Sequence, residues 1–311
     1  MIRTTFLVAC LLAASLSTLP SSASAAAIDV VTTTEDLAAL VREVGGDRVG
    51  VLALARGYQD PHFVEPKPSF ILKLHGADLL VVVGRELEVG WLNPLIRQSR
   101  NRAIQPGGER YLDASLTAEI LDVPTGPITR AMGDVHPLGN PHFLLDPANG
   151  RRAAEAIRAM LSTISPGDAE YFATRYADFD DRLAQVETRW DARMAPWRGA
   201  QIVTYHRTWP NFCERFGLQV VGYVEPRPGI RPSPRHTLDL MAEMKRLGVG
   251  VILVEPYFDL KTPRKIAQQT SSEVLVLLPS VGGEKQVKTY IDLFDHNIEK
   301  LATALAEAAG R

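Results

Sequence analysis

Three histidines, His62, His142 and His206, share one kind of neighbourhood. Each stands after an extended segment and before a helical one. Proline or an aromatic stiffens each loop: Asp60-Pro61-His62-Phe63, Asn140-Pro141-His142-Phe143 and Thr204-Tyr205-His206. A lone histidine in such a loop is more often structural than a ligand, but three spread along the chain can close on one ion. Neutral imidazole is a borderline-soft ligand that suits Zn2+ better than Mg2+ or Ca2+. The long gaps between them exclude a zinc finger, whose ligands cluster in sequence. The other histidines have blander settings. His75 ends a short helix next to Gly76, and His236 starts a helix and faces solvent. His296 lies on the last helix among Asp292, Asp295 and Glu299.

The elements that must position the three histidines read as alternating strands and helices. Ile28 to Thr33 is rich in β-branched residues and reads as a strand. Thr34 is the expected N-cap of a helix carrying Leu37, Leu40, Val41 and Val44 at helical spacing, which Gly45-Gly46 ends. Val49 to Leu54 is the next strand and runs into the His62 loop. Ser69 starts a short helix that Gly76 stops, and Leu79 to Val83 is an unbroken apolar strand, as expected for one covered on both faces. Further extended pieces and a Pro/Gly-rich loop lead to His142, and a helix follows from about Ala148 to Ser162. This order builds a parallel sheet with crossover helices.

Ser165-Pro166-Gly167-Asp168 then opens a long helix. Phe172, Tyr176, Phe179, Leu183, Val186 and Trp190 follow at steps of four and three, and Pro196 ends the run. At roughly 1.5 Å per residue the helix spans about 42 Å, the length of a rigid connector between two lobes. The strand–helix order restarts beyond it. Gln201 to Thr204 leads into His206, and Leu218 to Gly222, Val249 to Val254 and Val274 to Leu278 follow as strands. Helices include Thr237 to Leu247 and Tyr290 to Ala309. The expected fold class is therefore α/β: two lobes, each a mostly parallel sheet flanked by helices, joined by one long helix. The divisions are residues 28–165, 166–196 and 197–311. Ligands of such sheets sit beyond the carboxyl ends of the strands, so the loops of the two lobes face each other across a cleft.

The chain has 311 residues, 46% hydrophobic and 23% charged, the balance of a globular protein of about two domains. A formal net charge of −2 gives no basic footprint for nucleic acid. Residues 1–27 read as a secretory signal peptide: Arg3, an apolar run from Phe6 to Ala14, and small residues suited to cleavage near Ala25 to Ala27. Of the two cysteines, Cys10 lies in that leader. The exported chain keeps only Cys213, which reads as a small buried apolar residue rather than a thiolate ligand.

With these motifs in view, the chain resembles the zinc/manganese solute-binding proteins of bacterial ABC transporters over essentially its whole mature length. Asp60-Pro61-His62-Phe63-Val64-Glu65-Pro66-Lys67-Pro68-Ser69 is similar to the family's first metal-histidine signature. Asn140-Pro141-His142-Phe143-Leu144-Leu145-Asp146-Pro147-Ala148-Asn149 is similar to the second. Thr204-Tyr205-His206-Arg207-Thr208-Trp209, followed by Phe216-Gly217-Leu218, is similar to the third. The resemblance implies a two-lobe metal carrier, not an enzyme, that docks as a monomer on an inner-membrane ABC permease. It also implies that the family's fourth ligand, an aspartate, is missing. Leu278, in Leu277-Leu278-Pro279-Ser280, stands where that aspartate would be.

The fourth position then falls to Glu255, in Val254-Glu255-Pro256-Tyr257, or to water, with Glu65 a weaker candidate. A site that has lost a carboxylate and keeps three imidazoles favours Zn2+ as cargo over manganese or iron. Three histidines and a water would also fit a zinc hydrolase with Glu255 as base, but no H-E-x-x-H pair is present. Many zinc relatives carry a long His/Asp-rich loop before the second ligand motif. Here that region has only Gly133-Asp134-Val135-His136-Pro137, where His136 reads as structural or as a hand-over residue. The short loop leaves room for a separate zinc chaperone in the periplasm. The long connector predicts small lobe rearrangement rather than wide hinge closure.

Overall fold

A computed structural model describes residues 27–126, 136–227 and 229–310. The N-terminal sheet consists of β1 (Ile28–Thr32), β2 (Val49–Ala53), β3 (Leu79–Val82) and β4 (Tyr111–Asp113), in the order β2-β1-β3-β4. The C-terminal sheet consists of β5 (Gln201–Thr204), β6 (Gln219–Tyr223), β7 (Val251–Val254) and β8 (Glu273–Val276), in the order β6-β5-β7-β8. Every pairing is parallel. The second strand of each sheet pairs on one side of the first, and the third and fourth extend the other side. That reversal of direction is a switch point, and it opens a crevice beyond the strand ends. Strands β3 and β7 are buried at every residue, as their continuous apolar sequences require when helices cover both faces.

Helices α1 (Glu35–Gly45), α2 (Pro68–His75) and α3 (Leu92–Ser99) flank the first sheet. Helices α4 (Pro147–Ile164) and α5 (Ala169–Met194) follow. Beyond them come α6 (Pro210–Phe216), α7 (Pro234–Leu247), α8 (Lys261–Thr270) and α9 (Tyr290–Ala309). The expected long helix is α5, entered through a 3-10 turn at Pro166–Asp168 and left through another at Ala195–Trp197. Its stripe of Phe172, Phe179, Leu183, Trp190 and Met194 is buried. The early part is tied to the first lobe, with the Arg175 Nε donating to the Glu43 carbonyl at 2.8 Å. The late part is tied to the second lobe: Trp190 stacks on Phe294 at 5.2 Å, and its Nε1 donates to Asp295 at 2.6 Å. One apolar core runs through α1, α4, α5, α6 and α9, so α5 is a spine laid along both lobes rather than a free-standing strut.

Several local expectations change. Thr34 stands at the N-cap position with extended backbone, but its hydroxyl makes no capping bond. Helix α3 is not among the expected elements, and β4 is one of the extended pieces expected before His142, without bounds. Pro94 near the start of α3 and the brevity of β4 mask their periodicity, although Leu92, Leu95 and Ile96 make one buried face. His236 is not solvent-facing: its Nε2 lies 2.9 Å from the Tyr223 carbonyl. Cys213 is buried on α6, as expected. Gly57, which opens the His62 loop, lies against the second lobe so closely that a Cβ there would come within 1.9 Å of the Val281 carbonyl oxygen. The expected leader before Ala27 and the segment Gly133 to Val135 lie outside the described residues. No helix among the described residues is long and apolar enough to cross a membrane.

Candidate metal centre

His62 and His142 are set by the same local device. In Asp60-Pro61-His62 the Asp60 Oδ1 accepts the His62 backbone N–H at 3.0 Å. In Asn140-Pro141-His142 the Asn140 Oδ1 accepts the His142 backbone N–H at 2.9 Å. An acceptor side chain two residues back closes a turn, and the intervening proline fixes its backbone. The first loop is further pinned by the Trp91 Nε1, which donates to the Pro61 carbonyl at 2.9 Å. Asn140 also crosses the cleft: its Nδ2 donates to the Arg207 carbonyl at 2.8 Å. Arg207 follows His206 directly, so one side chain sets the backbone of one histidine and braces the loop of another. His206 leaves β5 with its carbonyl accepting from the Thr204 hydroxyl at 2.7 Å.

These loops bring the three histidines together. One ring nitrogen from each of His62, His142 and His206 lies within 4.8 Å of the others. Ring centroids are 5.2 Å apart for His62 and His142, 5.6 Å for His62 and His206, and 5.8 Å for His142 and His206. A cavity of about 600 Å³ opens beside them, lined by residues that include His136, His142, His206 and Arg207.

The protonation pattern suits ligation. His62 Nδ1 lies 2.7 Å from the Asp60 Oδ1, and His206 Nδ1 lies 2.7 Å from the Glu225 Oε2. A carboxylate on Nδ1 holds the proton there and leaves Nε2 with a free lone pair, the arrangement that orients histidine ligands in metal sites. The Nε2 of His142 is buried with no hydrogen-bond partner, a costly state for a polar atom unless something else meets it. Burial holds His142 well below the ordinary histidine range, and charge on His62 and His206 adds to that. Burial also lowers His206, but the hydrogen bond to Glu225 and the charges of Glu255, Glu225 and Asp60 outweigh it, so its pKa is raised. Burial pushes Asp60 up, yet its bonds to His62 and the nearby positive charge prevail, and its carboxyl sits below the usual range.

Glu255 stands outside the converging set. It is fully buried, and its Oε1 accepts from the Trp209 Nε1 at 3.0 Å. Burial pushes its carboxyl up, against the opposing pull of His206 and the hydroxyl of Thr208. Leu278 is buried in the apolar core, and its peptide is clamped by Asn297: the Leu278 N–H donates to Oδ1 at 3.0 Å, and Nδ2 donates to the Leu278 carbonyl at 2.7 Å. The residues just beyond it close the lobes. Asp36, on α1, accepts from the Ser280 hydroxyl at 2.6 Å and the Val281 N–H at 2.9 Å. Glu225 was missed at the sequence level. A signal existed: Val224-Glu225-Pro226 repeats the Val-Glu-Pro order of residues 64–66 and 254–256, and it ends a strand as the latter does.

Known proteins place the chain. A family model described as "Zinc-uptake complex component A periplasmic" matches residues 30–304. The manganese ABC transporter substrate-binding lipoprotein PsaA of Streptococcus pneumoniae serotype 4 is 23% identical over 310 residues, covering 97% of each chain. The iron-binding protein YfeA of Yersinia pestis is 23% identical over 294 residues, covering 89% of this chain and 86% of its own. A crystal structure of ZnuA superposes with a TM-score of 0.74 at 21% identity, covering 89% of this chain and 99% of that one.

Proposed function

This chain belongs to the zinc-uptake complex component A family, metal-binding substrate-binding proteins of ABC transporters and not enzymes, and on that premise we propose that its cargo is Zn2+. The relatives are named for manganese, iron and zinc, so the choice of metal rests on this chain's own donors. The observation that carries it is the set of three converging imidazoles: two held by carboxylates on Nδ1, the third buried with its Nε2 unpartnered. No carboxylate belongs to that set among the described residues. Imidazole donors suit zinc, whereas carboxylate and water oxygens suit manganese.

On this reading His62, His142 and His206 hold the ion between the lobes. Asp60 and Glu225 orient two of them, and Asn140 couples the two sides. The leader exports the chain to the periplasm and is cleaved near Ala25 to Ala27. The loaded protein then delivers Zn2+ to an ABC import permease. The test is chelator-competition titration of the metal-free protein with Zn2+, repeated on His142→Ala and His206→Ala. Each variant should lose most of the affinity while keeping its fold by circular dichroism. Wild-type affinity in either folded variant overturns the ligand set.

A further inference from the structure

We propose that His136 is the fourth ligand of the metal site, a role that Leu278, which has no donor atom and is buried in the apolar core, cannot fill. The inference rests on the zinc-carrier reading above. The Nε2 of His136 lies 3.2 Å from the Nε2 of His62. Two nitrogens bound to one tetrahedral zinc, at bond lengths of about 2.0–2.1 Å, stand about 3.3 Å apart. The His136 and His62 ring centroids are 5.2 Å apart, the same as His62 and His142 and closer than either is to His206. His136 also lines the cavity beside His142 and His206.

The segment is built to hold it there. Asn140 N donates to the Leu121 carbonyl at 2.9 Å, and Gly139 N donates to the His136 carbonyl at 3.2 Å. The Arg85 guanidinium clasps the Leu138 carbonyl at 3.2 Å. Gly139 has φ +98, and a Cβ there would meet the Ile120 Cγ2 at 2.4 Å. Only glycine permits this tight reversal, which turns the chain so that His136 and His142 reach the same cluster.

Two of the nearby carboxylates are engaged by histidines, and the third, Glu255, keeps its Oε2 buried without a hydrogen-bond partner. Asp60 and Glu225 each bind a ligand's Nδ1, and Glu255 accepts from Trp209. His136 stands outside the set whose nitrogens all lie within 4.8 Å of one another, so ligation needs its ring to swing inward from the His62 side. A tetrahedral site of four protein ligands is closed, as structural zinc sites are, whereas three ligands leave a place for water.

The deciding experiment is zinc X-ray absorption on the full exported chain and on His136→Ala and His136→Phe, with Zn2+ affinity measured alongside. Four imidazoles in the wild type and three in the variants are expected. The affinity should fall by more than the roughly 10–100-fold typical of losing an outer-shell partner. An imidazole count that is the same in wild type and variants overturns the proposal. So does a variant that changes only the rate of zinc uptake, which marks His136 as a hand-over residue. Both of those results leave the three-histidine site standing. Zinc held without imidazoles in the wild type would instead sink the underlying reading.

Discussion

The Nδ1 of His206 lies 2.7 Å from the Glu225 Oε2, both side chains buried at the edge of the cleft. Glu225 also accepts the Gly229 N–H at 2.9 Å on its other oxygen, so the carboxylate is fixed before it fixes the imidazole. Replacing Glu225 with alanine frees the ring to rotate and to change tautomer. Zinc affinity should fall roughly 10–100-fold, the usual cost of losing a carboxylate behind a histidine ligand. Glu225→Gln, which keeps an acceptor in place, should lose less. Chelator competition on the two variants checks this, and an alanine variant equal to the wild type contradicts it.

Asp36 gives the stability a pH dependence. It is buried between the lobes, and burial pushes its carboxyl up to about 6 despite the bonds from Ser280 and Val281. The folded state therefore binds this proton more tightly than the unfolded chain, whose value is near 3.8. The stability contributed by the protonated form is complete below the unfolded value. It is lost as pH rises through 4 to 6. Asp36→Asn removes that titration. Measured from pH 4 to 7, the wild type should lose up to roughly 3 kcal/mol relative to the variant. A difference that stays flat across this range contradicts the account.

The backbone of the His62 loop passes the second lobe with no room for a side chain at Gly57. Gly57→Ala forces its Cβ against the Val281 carbonyl, whose own N–H is held by Asp36. Overpacking of this kind costs roughly 1–3 kcal/mol. Because the strain falls where the lobes meet, both melting temperature and zinc affinity should drop. A variant that melts lower but binds zinc unchanged would show that the contact serves folding alone.

Much of this was legible in the sequence. The Pro-His turns, the apolar runs of β3 and β7 and the buried stripe of α5 are local patterns, and local patterns survive without knowledge of the fold. What escaped depends on distant partners. Glu225 lies nineteen residues from His206, and nothing in its own segment separates it from Glu255, whose Oε1 accepts from Trp209. His136 carries no motif, and its meeting with His62 spans 74 residues. Asp36 resembles an ordinary first-turn helix charge, while its real partners, Ser280 and Val281, come from the far end of the chain. Thr34 shows the reverse case, a correct cap position whose hydroxyl makes no cap.

On the proposed reading, imidazoles rather than carboxylates set the cargo of this carrier. Competition titration of the metal-free protein with Zn2+ and Mn2+ in one buffer tests it most directly. A nitrogen-donor site favours zinc strongly over manganese, so Zn2+ should displace bound Mn2+ stoichiometrically, and excess Mn2+ should not displace Zn2+. Mn2+ binding as tightly as Zn2+ would contradict the assignment.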